Sequence, residues 1–234
     1  MILCLETATA LCSVALCDNT GAIALRESDE GKSHASLLTV FIDDLLRKAG
    51  IRANELDAVA VSKGPGSYTG LRIGVSTAKG IVYAASIPLI GVETTLSMFH
   101  GFLSAAKKRY NITSEDLFCP AIDARRMEIY YCVYDSAGNC IRSIQAEIID
   151  QNSLSDFPES KRIFIFGDGA IKCKEIFNRK NVVFDNNYRI SASHMYKPVY
   201  ELFNKRRFED IAYFEPFYLK DFITSRPKKN ILGR

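Results

Sequence analysis

The sequence lacks most of the features that announce a chemistry. Basic and acidic residues nearly cancel, 30 Lys and Arg against 27 Asp and Glu, for a net charge of +3. So small an excess removes whole-surface electrostatics as a sign of nucleic-acid binding. No two of the seven cysteines are separated by only two residues, which excludes a zinc knuckle and a thioredoxin-type motif. Their odd count and apolar settings predict reduced, buried thiols in a reducing compartment. His34, His100 and His194 are isolated, with no second histidine at ligand spacing. No apolar run approaches the ~20 residues of a membrane span. The start, Met1 to Glu6, has no basic segment and reaches a carboxylate at residue 6, so it reads as a buried strand rather than a secretory signal. These absences predict a cytoplasmic protein without membrane contact.

What is present is an ordinary globular composition, 47% hydrophobic and 24% charged, with length for one large or two small domains. Residues 2–6, Cys12 to Cys17 and Ala22 to Arg26 read as a three-strand meander, with turn residues Asp18-Asn19-Thr20-Gly21 between the last two. Ser33 is placed to cap a helix from His34 to Ala49, whose Leu38, Phe41, Ile42, Leu45 and Ala49 recur at three and four residues. A buried strand over Asp57–Ser62 leads into the turn Gly64-Pro65-Gly66-Ser67-Tyr68-Thr69-Gly70. A helix over 71–85, a strand over 87–92 and a helix over 95–108 follow. Residues 109–116 are polar and read as a link.

The second half repeats the first. Glu6, Asp18 and Gly21 recur as Asp123, Asp135 and Gly138 at a constant offset, with Tyr131-Cys132-Val133 falling on Val14-Ala15-Leu16. The later copy carries a strand at 163–166, a turn Gly167-Asp168-Gly169 and helices over 170–178 and 192–208. Repeats of this size are too long for a solenoid unit, so two lobes are expected, 1–108 and 109–220, followed by a basic tail over 221–234. Each lobe is a mixed sheet flanked by helices. This is the α/β order of the duplicated actin-like (ASKHA, RNase H-like) fold.

The run Lys63-Gly64-Pro65-Gly66-Ser67-Tyr68-Thr69-Gly70-Leu71-Arg72-Ile73-Gly74 is the most distinctive in the chain. With Leu3-Cys4-Leu5-Glu6-Thr7-Ala8-Thr9, Ser33-His34-Ala35, Ile122-Asp123-Ala124-Arg125-Arg126 and Pro216-Phe217-Tyr218-Leu219, it resembles the bacterial TsaB (YeaZ) family. The resemblance is tight over the first hundred residues and loose beyond 140. It implies a scaffold role in forming threonylcarbamoyladenosine beside the tRNA anticodon. The implied partners are the paralogue TsaD, which carries the metal, nucleotide and transfer chemistry, and a small ATPase, TsaE.

The residues themselves agree with a silent member. An actin-like ATPase brings backbone N–H groups of each first hairpin close to phosphate, and glycine permits that approach. The turns here, Thr7-Ala8-Thr9-Ala10-Leu11 and Ala124-Arg125-Arg126-Met127, contain none. Glu6 and Asp123 stand where such folds place carboxylates for Mg²⁺, but without a phosphate loop they are read as vestigial, paired with local backbone or arginine. Where the resemblance places the paralogue's two metal-binding histidines, this chain has Thr94 and Met98. Gly64, Gly66 and Gly70 are read as a structural turn, with Ser67 or Thr69 capping the helix, because the Gly-Lys-Ser/Thr ending of a P-loop is missing. Ser67 sits in no nucleophile elbow. No catalytic residue, metal or cofactor is assigned.

The partner surface is expected on the first two helices. Leu37 and Leu46 widen the apolar stripe of the first, where Leu37, Leu38 and Phe41 are the expected contacts, and Arg72, Val75, Lys79 and Tyr83 mix basic and apolar groups on the second. The resemblance places the TsaD contact there, and a homodimer is expected on the same patch when the paralogue is absent. The tail Arg226-Pro227-Lys228-Lys229-Asn230 is expected to be solvated, with tRNA met only within the complex. The rival readings are a self-sufficient actin-like phosphotransferase with Glu6 and Asp123 on Mg²⁺, and a stand-alone metallopeptidase.

Overall fold

The computed structural model describes residues 1–29, 34–177 and 179–220. Ser33 and the basic tail lie outside the described residues.

Strands β1 (Ile2–Glu6), β2 (Cys12–Asp18) and β3 (Gly21–Ser28) form the expected meander, and β4 (Ala58–Gly64) and β5 (Leu89–Glu93) extend it in parallel on the other side of β1. The sheet order is β3-β2-β1-β4-β5. Between its strands run α1 (His34–Ala49) and α2 (Tyr68–Ala85). A third helix, α3 (Thr94–Arg109), leads into the second sheet, β6 (Leu117–Asp123), β7 (Glu128–Asp135), β8 (Cys140–Ile148), β9 (Ile163–Phe166) and β10 (Val182–Asp185). Its order, β10-β9-β6-β7-β8, is that of the first sheet read from the other edge, with the same parallel and antiparallel pairings. The duplication is therefore one of topology: the chain has a duplicated actin-like α/β fold.

The constant sequence offset fails by one residue at the strands. Leu5 pairs with Val14, but its counterpart Ile122 pairs with Tyr130 rather than Tyr131. The second hairpin is shorter by a residue at its tip, and Arg125 and Arg126 take left-handed φ values of 68° and 52° to close it. At the far end of each hairpin the repeated aspartates do the same work. Asp18 Oδ1 accepts from Thr20 N at 2.8 Å, and Asp135 Oδ1 from Ala137 N at 2.9 Å.

Strand alternation gives each sheet two buried faces. On one face of the first sheet, Leu3, Leu5, Val14, Leu16, Val59 and Val61 meet α1 and α2. Its other face, with Ile2, Cys4, Ala15, Ala58 and Ile90, is covered by Ala192, Met195 and Val199. These belong to a short 3₁₀ helix, Ala192–Met195, and to α5 (Tyr196–Asn204), where one helix over 192–208 was expected. In exchange α3 covers the second sheet: Phe99 and Phe102 pack on Phe118, and Phe102 stacks on Phe166 with ring centroids 3.9 Å apart. The opposite face of that sheet holds α4 (Ala170–Ile176). Each half thus supplies a helix to the other's sheet. Of the cysteines, all but Cys140 are buried, as free thiols.

After α5 the chain returns along the first sheet. Glu209 N donates to Leu89 O at 2.9 Å, Phe217 N to Lys63 O at 2.6 Å, and Lys79 Nζ reaches Phe214 O at 3.1 Å. This strap, residues 209–218, stitches the end of the described chain to β4, β5 and α2.

Candidate functional site

The first hairpin turn is closed by the chain's own helix. Glu6, at the end of β1, is fully buried; its carboxylate accepts from Ala8 N at 2.7 Å and from the Ser62 hydroxyl. Among the described residues no basic side chain pairs with it. Burial pushes this carboxyl up to about 7, against the lowering effect of Ser62 and the backbone N–H groups, and Asp168 adds to the rise. Over the turn lies the start of α2. Ser67 N donates to Ala8 O at 2.6 Å, and Ser67 Oγ caps the helix by accepting from Gly70 N at 3.3 Å. A Cβ at Gly66 would stand 2.4 Å from Ala8 O, and one at Gly70 2.1 Å from Thr7 O. The glycines admit the hairpin backbone to the helix end, where a Cβ would collide with the Thr7 and Ala8 carbonyls.

The second half makes its own close approach, onto strand β6 rather than onto the hairpin turn, with different chemistry around it. A Cβ at Gly167 would stand 2.3 Å from Ala121 O, and Gly169 N donates to that same oxygen at 3.0 Å. Asp123 is partly exposed, accepts from Arg125 N at 2.6 Å and forms an ion pair with Lys172. Asp168 accepts from Asp123 N at 3.0 Å, and burial raises its carboxyl above the usual range. Between the turns is a cavity of about 160 Å³ lined by Thr9, Met98, Asp168 and Tyr188 among others.

Thr94 and Met98 are buried, and Met98 packs against Gly167. The histidines are scattered. His34 Nε2 lies 3.3 Å from Leu11 O, while His194 meets the Tyr188 hydroxyl at 3.0 Å and is pushed down to about 4 by burial. Among the described residues no group of three His, Cys, Asp or Glu side chains converges as metal ligands would.

The predicted docking residues divide by burial. Leu38 and Val75, at 0% and 4% exposure, are core residues of the first sheet, and this corrects their assignment to a surface. Both sit on the inner line of their helix, where the sheet and the neighbouring helix enclose them. Leu37 and Phe41 are half-buried at the rim of that core. Tyr83 is 80% exposed. Arg72 lies over the Tyr68 ring at 4.8 Å, and Tyr68 packs on Tyr218 of the strap. Lys79 is tied to the strap carbonyl already described. Sequence reasoning missed Val40, 59% exposed and one turn from Leu37 on the outer flank of α1. An apolar residue outside the inner stripe was the available signal. No membrane-crossing helix is found among the described residues.

A duplicated actin-like fold whose first hairpin turn is packed against the start of its own helix α2 defines the class. The family described as "TsaD: tRNA N6-adenosine threonylcarbamoyltransferase" matches residues 28–221. The chain is 35% identical over 140 residues to the tRNA threonylcarbamoyladenosine biosynthesis protein TsaB of Escherichia coli, covering 60% of this chain and 57% of that one. It is 30% identical to TsaB of Bacillus subtilis over 68% of this chain and 64% of that one. It therefore spans somewhat more than half the length of these curated relatives. A solved structure, YeaZ from Pseudomonas aeruginosa, superposes with a TM-score of 0.78 at 23% identity, over 93% of this chain and 99% of that one, which shows the shared fold. The chain belongs to the TsaB (YeaZ) family.

Proposed function

We propose that this chain is a non-catalytic accessory subunit in the formation of tRNA N6-threonylcarbamoyladenosine, docking on a TsaD-type paralogue through the outer flanks of α1 and α2. The observation that supports the silent role is the packing of Gly66 and Gly70 directly on the Thr7–Ala8 backbone, together with a first hairpin turn that holds no glycine to cradle a phosphate. The docking flank presents Val40 and Tyr83 to solvent beside half-buried Leu37 and Phe41, with Arg72 held by Tyr68 at its edge. Exposed aromatic and arginine side chains beside apolar ones are the composition of binding hot spots. A TsaE-type ATPase and tRNA join through the complex, in the cytoplasm, and a homodimer uses the same flank when the paralogue is absent.

Calorimetry of the chain with a TsaD-type paralogue tests this reading. Saturable association is expected, weakened about ten-fold or more by Val40→Asp, a change on an exposed position that leaves the fold intact. Equal affinity of the wild type and the Val40→Asp and Tyr83→Ala variants would remove this flank from the account.

A further inference from the structure

Charge is unevenly placed on this chain. Residues 94–109 and 196–208, which hold α3, α5 and the turn after it, carry seven Lys and Arg against one Glu, in a protein whose net charge is only +3. Helix α3 contains no carboxylate and ends in Lys107, Lys108 and Arg109. The two helices pack together. A Cβ at Gly101 would collide with the His194 ring, so a bare turn of α3 is what admits the 3₁₀ helix that leads into α5. Lys108, His100 and Tyr196 line one hollow between them. Lys197 acts on His100, and Glu201 feels Lys205, His100 and Arg207, so the charged groups of both helices share one face.

Most of this charge has no counter-ion. Arg109 pairs with Asp185 at 2.8 Å and Lys205 with Glu201 at 2.5 Å. Lys107, Lys108, Lys197, Arg206 and Arg207 are exposed and form no ion pair among the described residues. Glu209, close by in the chain, turns to Lys63 instead. Beside the arginine pair the Phe208 ring is 41% exposed, steadied from below by Phe203 with ring centroids 5.8 Å apart. Unpaired cations with an open aromatic ring suit a polyanion whose phosphates alternate with flat bases: the phosphates supply affinity, and the ring offers a stacking face. A helix made for a lipid surface would present an apolar face to it, whereas α5 buries Pro198 and Val199 inside the protein.

We propose that the face formed by α3 and α5 is a contact surface for the sugar-phosphate backbone of a structured RNA, with Lys107, Lys108, Lys197, Arg206 and Arg207 on phosphates and Phe208 beneath an unpaired base. The choice of a tRNA as that RNA rests on the role proposed above. Helix α5 covers the side of the first sheet opposite to the one that α1 and α2 bury, so a paralogue docked on those helices leaves this face open.

Fluorescence anisotropy of a labelled tRNA, titrated with the full chain bound to its TsaD-type paralogue, tests it. Lys107→Glu with Lys108→Glu, and Arg206→Glu with Arg207→Glu, should each weaken binding about ten-fold or more and flatten its salt dependence between about 50 and 200 mM. Phe208→Ala should weaken it less. Calorimetric affinity for the paralogue should stay the same in these variants, with circular dichroism confirming that each is folded. Lys174→Glu, which changes an exposed cation on α4, should leave tRNA affinity unchanged. Unchanged tRNA affinity in either double variant, an equal loss in Lys174→Glu, or a loss of paralogue affinity in step with that of tRNA would overturn the proposal. So would binding of phosphatidylserine vesicles without binding of tRNA, which would assign the face to a membrane. Failure of the wild type to bind the paralogue would sink the docking reading alone, and the same anisotropy titration with the isolated chain then decides this face.

Discussion

Glu6 and Asp123 each end the first strand of one copy of the sheet, yet their surroundings differ. Glu6 is sealed beneath the start of α2 with a hydroxyl and backbone N–H groups as its donors, and its carboxyl is raised to about 7. Asp123 reaches solvent and takes Lys172 as its counter-ion. The difference comes from the helix that packs against each hairpin. In the first half a long helix, capped by Ser67, lies down on the turn; in the second the helix α4 is short and leaves the carboxylate at the surface. Duplicated position therefore does not fix chemistry. Burial and counter-ions decide it.

The contrast can be broken most strongly through Glu6. Its folded-state carboxyl lies above the ordinary value of 4.5, so between that pH and about 7 the native state holds a proton the unfolded chain has released. Stability accordingly falls as pH rises through this window, by about 3 kcal/mol in total, and levels off above it. Glu6→Gln should abolish that slope in urea titrations run from pH 5 to about 8. Asp123→Asn should leave it in place.

Next in size is the close approach over the first turn. Gly70→Ala drives a methyl group against the Thr7 carbonyl and should cost about 2–3 kcal/mol, read as a lowered midpoint in thermal unfolding. Gly80, on the same helix, has open space where a methyl group would stand, with nothing within 4 Å. It gives the opposite sign: Gly80→Ala should stabilise by up to about 1 kcal/mol. A smaller effect belongs to the second turn, where Lys172→Ala removes a partly exposed ion pair and should change stability by about 0.5–1 kcal/mol, diminishing in high salt.

The sheet topology was legible because its signals are local. The Asp18 and Asp135 turns mark each hairpin by side-chain bonds within two residues, and α1 announces itself by Leu38, Ile42 and Leu45 at helical spacing, running over the predicted residues 34 to 49. Non-local packing was not legible. Nothing in the periodicity of residues 192–204 says which sheet they cover, and they cover the first. Nor does the strap, whose bonds to Lys63 and Leu89 span more than a hundred residues, leave a pattern in the chain. The same limit explains Leu38 and Val75. A wide apolar stripe shows that a helix buries a face, but only the position of the neighbouring sheet decides which flank is left over for a partner.

The proposed non-catalytic role is tested most directly by titrating ATP with Mg²⁺ into the isolated protein. The account predicts no saturable heat, in the wild type and in Glu6→Gln alike. Saturable binding that disappears in Glu6→Gln would contradict it, and would restore Glu6 as a working carboxylate of an actin-like phosphotransferase.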